Sequence, residues 1–284
     1  MSQITVHQSF DTAINPFAIR TQRAPKDASQ SSNSTRDAEP PKMGHMVNVD
    51  FWLGYADPIL HSHKSQLSAV KAPCFEPTRV LTAEADVDNA AALELINPVE
   101  LALSARHAGG GIWSRNQVYN DNTKARADKA WMCHNRAGER SFFAVLEYKY
   151  VGDIRPQEFY AAWARPEDRR NHLIKLHEGR NTPGKQLAKH ASLFKSNSNT
   201  LIRQAVHYAN SYETQYIALF DWDTLVLLHL EDQEGPAGGD YCYMTVIQDK
   251  SLMRRALLGF LERAYQDAMG TRNLPVFPTI NSGK

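Results

Sequence analysis

The stretch Phe142-Phe-Ala-Val-Leu-Glu147-Tyr-Lys149-Tyr-Val151 lies near the middle of the chain, and its pattern decides the fold. Its apolar, aromatic and β-branched residues predict a β-strand. Successive side chains on a strand point to opposite faces, so Glu147 and Lys149 share one face. A buried strand carries two charges only where they are satisfied. The pair therefore indicates either an exposed strand at the edge of a sheet or a site for a metal ion and a phosphate.

A second strand is predicted upstream of this stretch. Residues 124–133 have strand character and residues 134–139 have turn character, which predicts an antiparallel hairpin with residues 141–151. Asp128 then lies on, or just before, the strand paired with Glu147. The alternative is that Asp128 is an ordinary turn residue at the start of a strand, with Asp121 as the fallback acidic ligand.

Two predicted helices accompany the hairpin. Residues 84–106 have helical spacing with a new start at Pro98, and the surrounding segment is strongly acidic. Residues 200–212 form a second helix, on which Gln204 and Tyr208 are one turn apart and share a face.

The remaining pattern completes an α/β domain. Strands are predicted at 215–220, 225–230 and 241–247, followed by an amphipathic helix from residue 251 to about residue 269. We therefore expect a mixed central sheet flanked by helices.

The bulk composition bounds the function classes. The chain has 284 residues and a net charge of +1, so a surface that binds nucleic acid must be local. Residues 165–195 are such a surface candidate, with eight Lys and Arg against three Asp and Glu. No apolar run approaches the length of a membrane span. Three widely spaced cysteines indicate a reducing intracellular compartment, the nucleus or the cytoplasm.

The N-terminal segment differs in composition from the rest. Residues 1–45 contain a polar stretch rich in Ser and Pro, which predicts a disordered tail, although apolar residues among the first twenty leave a short docking strand open. The predicted domain therefore spans residues 46–284.

Together these elements resemble the PD-(D/E)XK nuclease-like superfamily, with its restriction-endonuclease-like fold, over roughly residues 84–265. The layout is also similar to the fungal nuclease-like branch of that superfamily. The (D/E)XK element falls on Glu147-Tyr148-Lys149. The PD element falls on Ala127-Asp128, with alanine in place of proline, and the Gln-x-x-x-Tyr element falls on Gln204 and Tyr208.

The resemblance implies a hydrolase that cleaves phosphodiester bonds with Mg²⁺ or Mn²⁺, with DNA as the favoured substrate. Asp128, Glu147 and the backbone carbonyl of Tyr148 would hold the metal, since hard cations take oxygen ligands. Lys149 would orient or help to deprotonate the attacking water and stabilise negative charge.

Four points stay open at the level of sequence. Gln204 and Tyr208 would orient Lys149, the water or a phosphate, or they are an ordinary helix face. The acid that many members contribute from the first helix has three candidates, Glu84, Glu94 and Glu100. A catalytically inactive nuclease-like fold that binds nucleic acid or protein is the alternative function. An α/β protein unrelated to nucleases is the third possibility, if residues 141–151 form an edge strand.

Overall fold

A mixed sheet of seven strands forms the centre of the computed structural model, which describes residues 4–14, 19–20, 38–73, 80–165, 167–178, 192–231, 239–278 and 280. The strands of the described chain are β1 (Ile19–Arg20), β2 (Met43–Met46), β3 (Val80–Leu81), β4 (Trp113–Tyr119), β5 (Arg126–His134), β6 (Arg140–Tyr148), β7 (Tyr216–Phe220), β8 (Leu225–His229) and β9 (Tyr241–Ile247).

The helices follow the same chain order. They are α1 (Val6–Ser9), α2 (Val49–Ser62), α3 (Lys64–Ala69), α4 (Glu84–Ala91), α5 (Asn97–Arg106), α6 (Pro156–Ala161), α7 (Arg169–Glu178), α8 (Ser196–Tyr212) and α9 (Met253–Ala268). A π-helical segment, Ala92–Ile96, joins α4 to α5. No helix among the described residues is long and apolar enough to cross a membrane.

The central sheet has the order β2-β9-β8-β7-β6-β5-β4. Strands β4, β5 and β6 form an antiparallel meander, and β7, β8 and β9 form another. The two meanders meet where β6 pairs in parallel with β7, and β2 adds in parallel to β9. A parallel pair needs a crossover connection, and α8 lies within the one that joins β6 to β7. This is the mixed sheet flanked by helices that the sequence predicts.

Each face of the sheet buries a separate apolar cluster. The first contains residues of α1, α2, α4, α5 and α9 together with Leu146 and Tyr148 of β6. The second contains residues of α8 and α6 together with Val145 of β6 and Leu219 of β7. Neighbouring residues of β6 therefore face opposite helical layers, as the period-two pattern predicts.

The ordered fold extends to the N-terminal side of the predicted domain start at residue 46. Val6, Phe10 and Ile14 are buried in the first apolar cluster, and β2, whose four residues are all buried, pairs with β9. The rest of the predicted tail, residues 1–3, 15–18 and 21–37, lies outside the described residues.

Two cysteines are free and buried, Cys133 and Cys242, while Cys74 lies outside the described residues. Burial raises the pKa of the Cys242 thiol to about 12, so it stays protonated and unreactive at neutral pH. Neither described cysteine takes part in the candidate site.

Candidate functional site

Glu147 and Lys149 form a buried ion pair at the end of β6. Glu147 is only 7% exposed and Lys149 only 8%, and Lys149 Nζ lies 2.6 Å from Glu147 Oε1. β6 runs between β5 and β7, so the pair does not belong to an exposed edge strand. The N–H of Lys149 donates to the carbonyl of Phe220 at 2.8 Å, which continues the pairing with β7 beyond the end of β6.

Asp128 stands opposite this pair on β5. The β5–β6 ladder has its outermost registered pair at Lys129 and Leu146, and beyond it the Asp128 side chain replaces the backbone partner. Asp128 Oδ2 accepts a hydrogen bond from the Tyr148 N–H at 2.8 Å. The predicted proximity of Asp128 to Glu147 is therefore present, and Asp128 lies within a strand rather than in a turn.

Gln117 of β4 holds the second oxygen of Asp128. Its Nε2 donates to Asp128 Oδ1 at 3.4 Å, and its Oε1 accepts from Arg126 Nε at 2.6 Å. Gln117 has φ +52°, a conformation that is uncommon for residues other than glycine and that concentrates at functional sites. The sequence carries no signal for this residue.

The acidic helix α4 brings one of the three candidate acids to the site. Glu84 Oε1 lies 3.5 Å from Lys149 Nζ. Glu94 instead pairs with Arg254 at 3.6 Å, and Glu100 pairs with Lys129 at 2.9 Å. Of the three candidates, Glu84 is therefore the one that contacts Lys149.

Asp88, one turn after Glu84, is a further acid near the site that the sequence reasoning did not single out. Burial and then the negative charge of Asp128 raise the pKa of Asp88, while Lys129 lowers it. The sequence does contain a signal for Asp88, because acids four residues apart on a helix share a face.

The charge balance shifts the pKa of both members of the buried pair. Burial raises the pKa of Glu147 to about 7; Asp128 and Glu84 add to the rise, and Lys149 opposes it. Burial alone would lower the pKa of Lys149, but the carboxylates of Glu147 and Glu84 outweigh it and the pKa is raised. Lys149 is therefore a cation at neutral pH, whereas Glu147 gains or loses its proton near neutral pH.

Tyr208 of α8 is buried on the same side of the sheet as Glu147. Burial raises its pKa well above the usual range, and the charges of Glu147 and Asp128 add to the rise. The hydroxyl is therefore a permanent proton donor near these carboxylates. Gln204 precedes Tyr208 by one turn and is partly exposed on the same helix face.

The oxygen atoms at the site suit a hard divalent cation. Asp128 and Glu147 each use one oxygen in a strong hydrogen bond, and Glu147 Oε2 is buried without a hydrogen-bond partner among the described residues. The side chain of Tyr148 lies in the apolar cluster on the other face, so only its backbone is a possible ligand. Within the described ranges, no three His, Cys, Asp or Glu side chains already form a metal-binding arrangement.

The basic segment 165–195 is described only in part. Arg165, before α7, and Arg170, in the first turn of α7, are exposed, but residues 166 and 179–191 lie outside the described residues. The predicted role of this segment in binding nucleic acid therefore stays a prediction.

Comparison of the chain with models of protein families, with curated proteins and with solved structures finds no match in any of the three.

Proposed function

We propose that this protein is a metal-dependent phosphodiesterase that hydrolyses nucleic acid, with DNA as the favoured substrate. The observation that carries the proposal is the burial of the Glu147–Lys149 pair in a central strand, with Asp128 and Glu84 beside it. Burying an ion pair costs several kcal/mol of desolvation per ion, about as much as the attraction returns. Strongly perturbed carboxyl pKa values in such a cluster are typical of functional sites.

The surplus of negative charge supports a cation at this place. The carboxylates of Glu147, Glu84 and Asp128 act on Lys149. Burial and the charge of Asp128 raise the pKa of both Glu147 and Asp88. Bound there, Mg²⁺ or Mn²⁺ would screen the phosphate and lower the pKa of a coordinated water. Asp128 and Glu147 would hold it, each through the oxygen that makes no strong hydrogen bond.

The residues of the chain divide the remaining work. Lys149 keeps its proton at neutral pH, so its part is to hold the substrate phosphate and to offset the charge that builds up on it. Glu147 would serve as a ligand of the cation, and Lys149 would also orient the attacking water that the cation activates. Tyr208 donates rather than accepts, and with Gln204 it orients groups on this face.

The test is cleavage of supercoiled plasmid and linear duplex DNA with Mg²⁺ or Mn²⁺, and with EDTA as the blank. The active-site variant is Glu147→Gln with Lys149→Met, which keeps the shapes of both side chains and removes both charges together. The control is Asp57→Asn, since Asp57 pairs with Arg255 at the surface. We expect cleavage by the wild type and the control and at least a ~10²-fold loss in the double variant. Equal cleavage by all three proteins would refute the assignment.

A catalytically inactive binding module is the second candidate. The observation that favours it is the short contact between Lys149 and Glu147, which already satisfies one oxygen of the carboxylate, together with alanine at the position of the motif proline. Titration calorimetry with Mg²⁺ and Mn²⁺ separates the two candidates. The module would be established if the protein binds DNA without cleaving it and if the heats measured with Mg²⁺ and Mn²⁺ are the same for the wild type and the double variant.

A further inference from the structure

Strands β4 and β5, together with the β5–β6 turn and the first residue of β6, carry an exposed basic surface that reaches the candidate site; we call it the surface of the β4–β5 hairpin. Between residues 113 and 140, five basic side chains are exposed against two exposed acidic ones, Asp121 and Glu139. The five are Arg115, Lys124, Arg126, Arg136 and Arg140. The chain as a whole has a net charge of only +1, so this local excess is a feature of the hairpin.

Aromatic rings lie among these cations. Tyr119 is 52% exposed and has the ammonium of Lys124 5.9 Å from its ring centre. Trp113 is half-buried and has the guanidinium of Arg140 5.9 Å from its ring. Cations interleaved with exposed rings are the combination that binds unpaired nucleotides, because phosphates meet the charges and bases stack on the rings.

The surface is connected directly to a carboxylate of the candidate site. Arg126 donates to Gln117, and the same Gln117 side chain donates to Asp128. A phosphate bound at Arg126 is therefore separated from Asp128 by a single side chain. Gln117, the residue that links the two, has the uncommon φ of +52°.

A second protein strand fits this edge poorly. β4 is the last strand of the sheet, and its outer side is unpaired among the described residues. Arg115 on this edge disfavours a neighbouring copy by like-charge repulsion, and the positive φ of Gln117, where the ladder with β5 lacks one pair, interrupts the straight edge that strand addition needs.

We propose that the exposed surface of the β4–β5 hairpin binds single-stranded nucleic acid and leads it to Asp128. The proposal rests on the proposed function, since it supplies the substrate surface of the same site. Duplex DNA would present its phosphates but not its base faces, so Tyr119 and Trp113 favour the single strand.

The test is the fluorescence anisotropy of a labelled oligothymidylate of about 20 nucleotides, longer than one ~4–16-nucleotide site, measured in EDTA over a range of salt concentrations. The surface variant is Arg115→Ala with Arg126→Ala and Arg140→Ala. The control, Lys64→Ala with Lys71→Ala and Arg272→Ala, removes the same charge from exposed positions elsewhere.

We expect the surface variant to bind about tenfold more weakly at moderate salt, and the slope of log K against log salt to fall by about 2 for three lost phosphate contacts. The control should bind like the wild type. Tyr119→Ala, which keeps every charge, should lose about tenfold in affinity with an unchanged salt slope. Tyr119→Ala therefore separates the stacking of bases on the ring from the effect of charge.

The outcomes separate this proposal from the nuclease proposal. Binding that survives Glu147→Gln with Lys149→Met but not the surface variant supports the hairpin, whether or not the wild type cleaves DNA. If the wild type cleaves DNA and the surface variant binds the oligonucleotide as tightly as the wild type does, the hairpin proposal is overturned and the nuclease proposal stands. Equal or tighter binding to a duplex, or a dimer that the same arginine variants abolish, also overturns it.

Discussion

The carboxyl group of Glu147 offers a quantitative test of the charge balance at the candidate site. The change Glu147→Gln keeps the size of the side chain and removes the group that titrates. Lys149 keeps Glu84 as a neighbour in the variant. The substitution therefore changes the free energy of unfolding by a constant amount and removes the pH dependence that the Glu147 carboxyl group contributes.

The magnitude follows from the pKa of Glu147, which burial raises from 4.5 to about 7. Between these values the folded protein holds a proton that the unfolded chain has released, so the stability of the wild type falls as the pH rises. Each pH unit is equivalent to about 1.4 kcal/mol, which gives a loss of about 3 kcal/mol over the whole window. The stabilisation is complete below the unfolded value and is lost as the pH passes about 7.

The assay is urea-induced unfolding from pH 5 to pH 8, followed by the fluorescence of the buried Trp131 and Trp222. The free energy of unfolding of the variant minus that of the wild type should rise by about 2–3 kcal/mol across this range. Glu139→Gln, at an exposed position, should give a constant difference. A constant or falling difference for Glu147→Gln would show that folding does not raise the pKa of the Glu147 carboxyl group.

Two further predictions concern residues that position the sheet around the site. Asp221 is fully buried and accepts from four N–H groups, those of Gly152, Ile154, Asp223 and Thr224. In urea unfolding, Asp221→Ala should cost at least about 4 kcal/mol, since each orphaned amide costs about 1–3, and Asp221→Asn should cost clearly less; a loss below about 1 kcal/mol for the alanine variant would contradict this. A Cβ at Gly259 of α9 would overlap the backbone of Trp52 in α2, so Gly259→Ala should lower the stability by about 3 kcal/mol in thermal unfolding. Gly54→Ala, where space is open, is the control and should be neutral or stabilising by roughly 0.5–1 kcal/mol, and equal melting temperatures for the two alanine variants would count against the close packing of α2 on α9.

Local patterns predicted the part of the site that lies on one hairpin. The period-two alternation of β6 places Glu147 and Lys149 on one face, and a short turn fixes which strand pairs with it. The hairpin therefore predicted that Asp128 lies on, or just before, the strand paired with Glu147, with an ordinary turn residue as the alternative. The helix with Gln204 and Tyr208 was found because its apolar spacing is regular.

The choice among the helix acids depended on a feature without a sequence signature. The π-helical segment Ala92–Ile96 interrupts the helix and changes the face on which later residues lie. Glu94 and Glu100 are within or beyond it and point to other partners, whereas Glu84 precedes it and reaches Lys149. The sequence pattern did not predict β2 or β4 either, because β2 is short and β4 is an edge strand with mostly exposed polar residues.

The pairing of β2 with β9 has a consequence for how the chain reaches its folded state. Met43 is in register with Tyr241, so this contact closes a loop of about 70% of the 284-residue chain. Arg254 of α9 likewise binds the carbonyls of Ser9 and Thr12. On the ribosome, the N-terminal elements emerge long before their partners and must wait for them. Long-range closure of this kind slows folding, and completion of the sheet should be a late event that needs the C-terminal helix.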